Sequence, residues 1–304
     1  MSIYSELTVI IPTFYPGKII NKCFASLPKE SEILILDNGN DPELDEIIKL
    51  SNLNIKHLKL GDVGLSKSFN YGVKKSKNEK ILITQPDVYF EQDSIKNLIS
   101  TLNFYPNTGI VAPLIYEKGL YSRYDFLDLT LNKFGRVIDK KRAKNKYTVP
   151  SGDFCVEAVN ATAMLFKKSF IYSIRGWDEN IYTYHEDIDL CVKARQNKYQ
   201  IIKCSKAIVH HIGFGSHKEE NKEKAEKSRN WHYCWSSLYF KNKYSSKSNF
   251  IFFYVGKLIK YFLKTVLNFL LFRRKKLILN FMRLRACLNY LIVKKASYRV
   301  NISI

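Results

Sequence analysis

The run Leu7-Thr8-Val9-Ile10-Ile11-Pro12-Thr13 decides how the chain is read. It is short, apolar and rich in β-branched residues, and a proline closes it, the pattern of a strand buried on both faces of a parallel sheet. Working outward, residues 18–27 read as helix. Glu32-Ile33-Leu34-Ile35-Leu36 reads as a second strand running into Asp37-Asn38-Gly39-Asn40, and Lys80-Ile81-Leu82-Ile83-Thr84 as a third running into Gln85-Pro86-Asp87. Between these two, Gly64 to Val73 supplies a small-residue turn and a helix. Strands that alternate with helices and end in polar loops predict a doubly wound α/β sheet, with the ligand beyond the carboxyl ends of the strands. Asp37 and Asp87 then share one cleft.

The bulk composition permits such a core. The chain has 304 residues and is 46% hydrophobic, which suits a globular protein rather than a disordered one. Its 49 Lys and Arg against 28 Asp and Glu give a formal charge of +21. That excess points to a polyanionic neighbour: nucleic acid, an anionic membrane face or a phosphorylated ligand. The six cysteines, Cys23, Cys155, Cys191, Cys204, Cys234 and Cys287, form no CxxC pair, and Met1 to Glu6 lacks a signal-peptide pattern. The expectation is a reducing, cytoplasmic protein without structural zinc.

Against the basic background, Tyr184-His185-Glu186-Asp187-Ile188-Asp189-Leu190-Cys191 concentrates three acids within four positions. Ile188, Cys191, Val192 and Arg195 fall at helical spacing, which puts the acids on the first turn of a helix. Acids there complement the helix dipole, so the run alone fits plain helix-start chemistry as well as catalysis. Asp37 is equally readable as a turn former. Asp87 stands directly at the end of an apolar strand, where one carboxylate plus substrate phosphates is the usual setting for magnesium. His210 and His211 stand at another strand end before a glycine-rich turn. A lone histidine is more often structural, yet imidazole is a common metal ligand. Residues 107–115 and 156–167 read as further sheet segments, Arg175-Gly176-Trp177-Asp178 as a turn, and the long polar stretch Tyr116 to Gly152 as a lid or acceptor-binding segment.

Taken in order, Pro12-Thr13, Asp37-Asn38-Gly39, GDVGLSKSFNYGV at 61–73, TQPDV at 84–88, RGWDENIYTYHEDIDLCVKARQNKY at 175–199 and the histidine, glycine and serine segment at 210–216 resemble the family 2 glycosyltransferases. Within that family the likeness is to bacterial rhamnosyltransferases of O-antigen, capsule or cell-wall polysaccharide synthesis, and it covers roughly residues 7–245. The resemblance implies a GT-A type α/β fold: a doubly wound mixed sheet flanked by helices, with a C-terminal amphipathic helical extension. It also implies inverting transfer from a nucleotide diphosphate sugar to an acceptor hydroxyl, with a divalent cation, Mg2+ or Mn2+, as cofactor. By motif position Pro12, Thr13, Asp37, Asn38, Gly64 and Asn70 border the donor, Asp37 reading the base. Asp87 takes the last position of a DxD-type metal motif whose first acid is here Gln85. His211, or else His210, completes the metal or diphosphate site. Glu186 and Asp187 correspond to the catalytic acids, with Asp187 as base. Arg229 is a candidate diphosphate contact, or a solvated charge in the lysine-rich 218–229 run.

The chemistry asks for these residue types. Single displacement needs a base within hydrogen-bond reach of the acceptor hydroxyl, and an aspartate of ordinary pKa ~3.9 is ionised at neutral pH. The departing diphosphate gathers charge that a cation and positioned cationic side chains stabilise.

Residues 1–245 therefore read as the transferase domain, with 1–115 its nucleotide-binding half and 116–245 its acceptor half. Residues 246–304 read as a basic amphipathic helical membrane-association region. Between Phe250 and Phe272, Lys257, Lys260, Lys264 and Asn268 fall within about 80° of one another on a helix and leave a wide apolar face. Three lysines along its length oppose a spanning helix, and Arg273-Arg274-Lys275-Lys276 follows at once, so an interfacial helix on an anionic leaflet is expected. The alternative is that this face packs on the rest of the chain or on a partner subunit. The leading reading is a transferase, peripheral on the inner face of the cell membrane, that takes a dTDP- or UDP-sugar to a lipid-linked saccharide acceptor and binds no nucleic acid. The others are a basic nucleic-acid-binding protein and an inactive glycosyltransferase-like scaffold subunit, the latter kept open by Gln85.

Overall fold

The computed structural model describes residues 2–122, 126–131, 137–142, 151–213, 219–292, 295–296 and 298–299. The chain divides into two compact units, residues 1–130, 139–177 and 187–216 in the first, and 131–138, 178–186 and 217–304 in the second.

The first unit opens with β1 (Leu7–Thr13), α1 (Ile20–Ala25), β2 (Glu32–Asp37), α2 (Pro42–Lys49), β3 (Ile55–Lys59), α3 (Leu65–Lys75) and β4 (Lys80–Thr84). There follow β5 (Val88–Phe90), α4 (Ser94–Phe104), β6 (Thr108–Glu117), β7 (Leu120–Tyr121), β8 (Phe126–Leu131), β9 (Val137–Arg142), β10 (Phe154–Cys155), β11 (Ala158–Val159), β12 (Ala163–Lys167), α5 (Lys168–Ser173), α6 (Glu186–Gln196) and β13 (Gln200–His211). The main sheet runs β10-β13-β6-β12-β4-β1-β2-β3, with β5 on β13 and β7 on β6. β1 pairs in parallel with β2 and β4, whereas β12 is antiparallel to β4 and β6. Of the stretch 116–152 read as a lid, residues 123–125, 132–136 and 143–150 lie outside the described residues; the remainder contributes β7, β8 and β9.

Every residue of β1 is buried. Leu7, Val9 and Ile11 join Ile33, Ile35, Leu82 and Leu98 in one core, and each such side chain contributes ~1.5–3 kcal/mol when taken out of water. β3 was not legible as a strand because it lies at the sheet edge, where its Ile-Lys-His-Leu-Lys sequence is only partly buried. Helix starts follow local chemistry. The Asp41 side chain accepts from Glu43 N at 3.0 Å, with Pro42 at the first helical position. Gly64 opens α3 at φ +83°, a conformation that penalises any side chain. Gly72 lets α3 approach the sheet, since a Cβ there would stand 2.8 Å from Leu36 and 2.9 Å from Ile10.

The parallel register sets the site. Thr13 is level with Asp37, and Ile10 with Ile83. The carboxyl ends of β1, β2 and β4 therefore share one edge, and Gln85 to Asp87 follow there.

The second unit is helical: α7 (Glu219–Tyr244), α8 (Lys247–Leu270) and α9 (Arg274–Ile292). Trp231, Trp235, Leu238, Met282, Ala286 and Cys287 form its core. Cys234 and Cys287 meet across α7 and α9 with their sulfurs 3.6 Å apart. Segment 178–186 joins this unit through Asp178, which accepts from Tyr239 at 3.0 Å and Lys243 at 2.7 Å, and through Tyr182, stacked on His232 at 4.4 Å.

α8 departs from the stripe that the lysines predict. Lys260 and Lys264 are exposed, but Asn268 is buried and Lys257 is partly buried, donating to Ser237. The packed side of α8 is its more polar side, where Tyr254 O–H also finds Cys287 O at 3.2 Å. Burial with hydrogen-bond partners makes this tolerable, because a buried polar group is costly only when unpaired. No described helix is long and apolar enough to cross a membrane.

Candidate active site

At the carboxyl end of β1, Thr13 is 2% exposed and its hydroxyl has no hydrogen-bond partner among the described residues. Pro12 is buried beside it, level with Leu36. Asp37 is fully buried. One oxygen accepts from Gly39 N at 2.9 Å and the other from Asp41 N at 2.8 Å, with His57 Nε2 at 3.2 Å from the latter. His57 also approaches Asp45 at 2.8 Å. The carboxylate therefore shapes the 38–41 loop. Asn38 ties three elements together, donating to Thr13 O and Leu36 O and accepting from Ser68 at 2.6 Å. The Asn70 amide brackets Trp177, accepting from its N at 2.9 Å and donating to its O at 3.0 Å, which fixes the Arg175 to Trp177 turn. Gly64 stands at the head of α3, nearly two turns before that amide.

Asp87 follows β4 and meets His211, the last residue of β13, with Oδ2 and Nε2 3.3 Å apart. Its backbone carbonyl accepts from Ile212 N at 2.9 Å. His210, one residue earlier, points the other way, as alternation along a strand requires. It pairs with Glu91 at 2.7 Å and stacks on Tyr89 at 4.8 Å. Burial lowers the His211 pKa, but hydrogen bonds and charge from Asp87 and Glu117 outweigh it and leave the group above its ordinary value. Carboxylate and imidazole donors suit a divalent cation that completes its sphere with phosphate and water oxygens. Among the described residues no group of three or more His, Cys, Asp or Glu is arranged around a metal position.

Asp187 lies on the first turn of α6. Its Oδ1 accepts from Ile188 N at 2.7 Å and its Oδ2 from Ala161 N at 3.3 Å. The carbonyl of the same Ala161 lies 3.5 Å from the Gln85 amide nitrogen, and Thr84 donates to Thr162 O at 3.1 Å. The 161–162 link thus ties Thr84 and Gln85 at the end of β4, three and two residues before Asp87, to the head of α6. Glu186 is 5% exposed, and Asp189 is fully buried. Tyr184 and His185, just before the acids, both hold positive φ, at 64° and 69°. Such backbone costs of order 1–3 kcal/mol per residue and gathers at functional sites. Arg229 stands on α7, in the second unit, where its guanidinium hydrogen-bonds the Tyr184 phenol; burial raises that phenol's pKa and Arg229 opposes the rise.

Sequence reasoning did not single out Ala161, His57 or Glu117. None carries a local signal, because each acts through a contact made by chain distant in sequence.

A model of glycosyl transferase family 2 matches residues 8–162, just over half of the chain. The chain belongs to that family. It is 22% identical over 206 residues to the low-salt glycan biosynthesis hexosyltransferase Agl10 of Haloferax volcanii, covering 66% of this chain and 64% of that protein, a little under two thirds of its length. It is also 22% identical over 210 residues to the N-acetylglucosaminyl-diphospho-decaprenol L-rhamnosyltransferase of Mycobacterium tuberculosis, covering 60% of this chain and 68% of that one. Among solved structures it resembles GalNAc-T7 with UDP, GalNAc and Mn2+, at TM-score 0.57 and 15% identity, over 83% of this chain and 56% of the other. The fold of this family 2 chain is the GT-A type expected from its motifs, a mixed sheet with flanking helices and helices at the C-terminal end.

Proposed function

We propose that the chain moves a hexosyl group from a nucleotide diphosphate sugar, dTDP-L-rhamnose or a UDP-sugar, to a saccharide hydroxyl with inversion, in surface polysaccharide synthesis. The observation that carries this reading is the link through Ala161, which joins the Asp187 carboxylate to Gln85 at the end of β4, two residues before the Asp87 that meets His211.

Asp187 is the base: its carboxylate takes the acceptor proton as that oxygen attacks the anomeric carbon, and the bond from this carbon to the nucleotide diphosphate breaks. Backbone donors on both of its oxygens hold it in one orientation. Glu186 is the second acid beside it. Asp87 and His211 would hold Mg2+ or Mn2+, which when bound offsets the charge on the departing diphosphate. Pro12 and the Thr13 hydroxyl border the nucleoside, and Asp37, Asn38, Gly64 and Asn70 shape the edge that receives it. The acceptor is a lipid-linked saccharide, supported by the relative named for a diphospho-decaprenol substrate. Residues 1–245 carry the transfer, and residues 246–304 hold the chain peripherally on the inner face of the cell membrane.

A thermal-shift panel of UDP, dTDP and GDP with and without manganese tests the reading, because a ligand of the native state raises apparent stability by mass action. The expected result is stabilisation by UDP or dTDP that manganese deepens, followed by turnover of the corresponding sugar nucleotide. A chain that ignores all three nucleotides and is stabilised by polynucleotide instead would overturn it.

A further inference from the structure

The outer side of α8 is the largest feature that the transfer chemistry leaves unused. We infer that it is a docking face for an anionic lipid bilayer, with α8 lying in the plane of the interface and Lys260 and Lys264 on its rim at headgroup level. The inference rests on the peripheral location proposed above and adds the surface that produces it.

Orientation is the first observation. Tyr254, Lys257, Tyr261 and Asn268 face the other helices of their unit, with Arg283 of α9 5.7 Å from the Tyr261 ring. The opposite side carries Phe252 at 80% exposure, Phe262 at 55% and Phe269 at 65%, with Val255, Ile259 and Val266 between them, also exposed. At 100° per residue the exposed apolar positions sweep roughly 160° of the helix. A continuous apolar stripe of this kind marks an interaction surface.

Charge chooses the occupant. After Glu226 the sequence holds no Asp or Glu to its last residue, but 17 Lys and Arg. Lys260 and Lys264 border the apolar arc, and Arg273 to Lys276 follow the end of the helix, all exposed. A second copy of this chain would bring the same cationic face against itself. An anionic leaflet meets the apolar arc with acyl chains and the rim with headgroups, and each basic residue near such a leaflet strengthens partitioning by about fivefold. The lysines within α8 set it along the surface rather than across it.

The test is flotation of the full chain with phosphatidylcholine vesicles with and without phosphatidylglycerol, together with light scattering of the free protein. The wild type is expected to float with the anionic vesicles. Phe262→Glu with Val266→Glu, both at exposed positions, should lower partitioning by about tenfold or more at an unchanged thermal midpoint. Lys260→Glu with Lys264→Glu should lower it on anionic vesicles alone. If the wild type floats and both double variants float equally well, another surface docks, and this inference falls while the peripheral location stands. If the wild type stays soluble, both fall. A dimer that Phe262→Glu dissociates, with no flotation, assigns the face to a second copy and also overturns the inference.

Discussion

The β1 strand and helix α8 are built by opposite rules. All seven residues of β1 are buried, and the polar groups of the site collect at the strand ends, at Thr13 and Asp37, and just beyond one, at Asp87. In α8 the hydrogen-bonding residues turn inward beside Phe250 and Phe253, while Phe252, Phe262 and Phe269 face outward. An apolar side chain taken from water stabilises the fold, so the sheet obeys the usual economy of a protein in water. α8 does not, which is why its outer face calls for a medium other than water. The lesson is that apolar sequence fixes which residues leave water but not what they leave it for.

The first prediction strikes the strand-end region hardest. Asp187→Asn should lower transfer by about 10²- to 10⁴-fold while nucleotide affinity stays within about twofold. Steady-state kinetics beside calorimetric titration of the nucleotide reads both, and near-normal turnover would remove Asp187 from the role. Next, His211→Ala should weaken manganese-dependent nucleotide binding by about 10- to 100-fold, the range seen when a metal shell is damaged. His210→Ala should leave it near normal, because that ring pairs with Glu91. Equal losses in both variants would break the assignment drawn from strand alternation.

The third prediction tests the helical side. His232 is fully buried, with Nε2 2.9 Å from Tyr298 O, and its pKa is pushed down to about 3, mainly by burial, with the positive charge of Arg299 adding to it and the Tyr298 bond opposing. The unfolded chain takes up the proton near ~6.5, before the folded one does. This group's contribution is therefore fully present above that pH and is lost as pH falls toward about 3, at up to about 1.4 kcal/mol per pH unit. Thermal midpoints across that window should show a flatter profile in His232→Phe than in the wild type; identical slopes would mean that another group carries the acid sensitivity. The smallest effect belongs to Thr13→Val. It removes a buried hydroxyl that has no partner among the described residues, so stability should hold or rise while donor KM increases by about fivefold, one ordinary hydrogen bond. An unchanged KM would detach Thr13 from the donor.

Much of the first unit was legible because its signals are local and periodic. β1, β2 and β4 are largely apolar runs, whereas in α6 burial extends beyond the spacing of Ile188, Cys191 and Val192 to Asp189, Leu190 and Ala194. β3 was not legible, since an edge strand needs no apolar run. Asp37 read as a ligand to the base, yet its oxygens meet the backbone of its own loop and His57, partners that no motif displays. In α8 helical spacing showed a polar and an apolar side, but could not say which would face the protein. That choice was made by Ser237, Cys287 and Arg283, which belong to other helices.

By itself the sequence determined the central strands β1, β2 and β4 with their polar ends, the family and the excess of positive charge, because each is written in neighbouring residues. Only the tertiary structure decided that His211 rather than His210 meets Asp87, that Ala161 joins that edge to Asp187, and that α8 keeps Phe252, Phe262 and Phe269 outside. Each of these depends on groups far apart in the chain arriving within a few ångströms, and hydrogen bonds and packing act at that range whatever the separation in sequence.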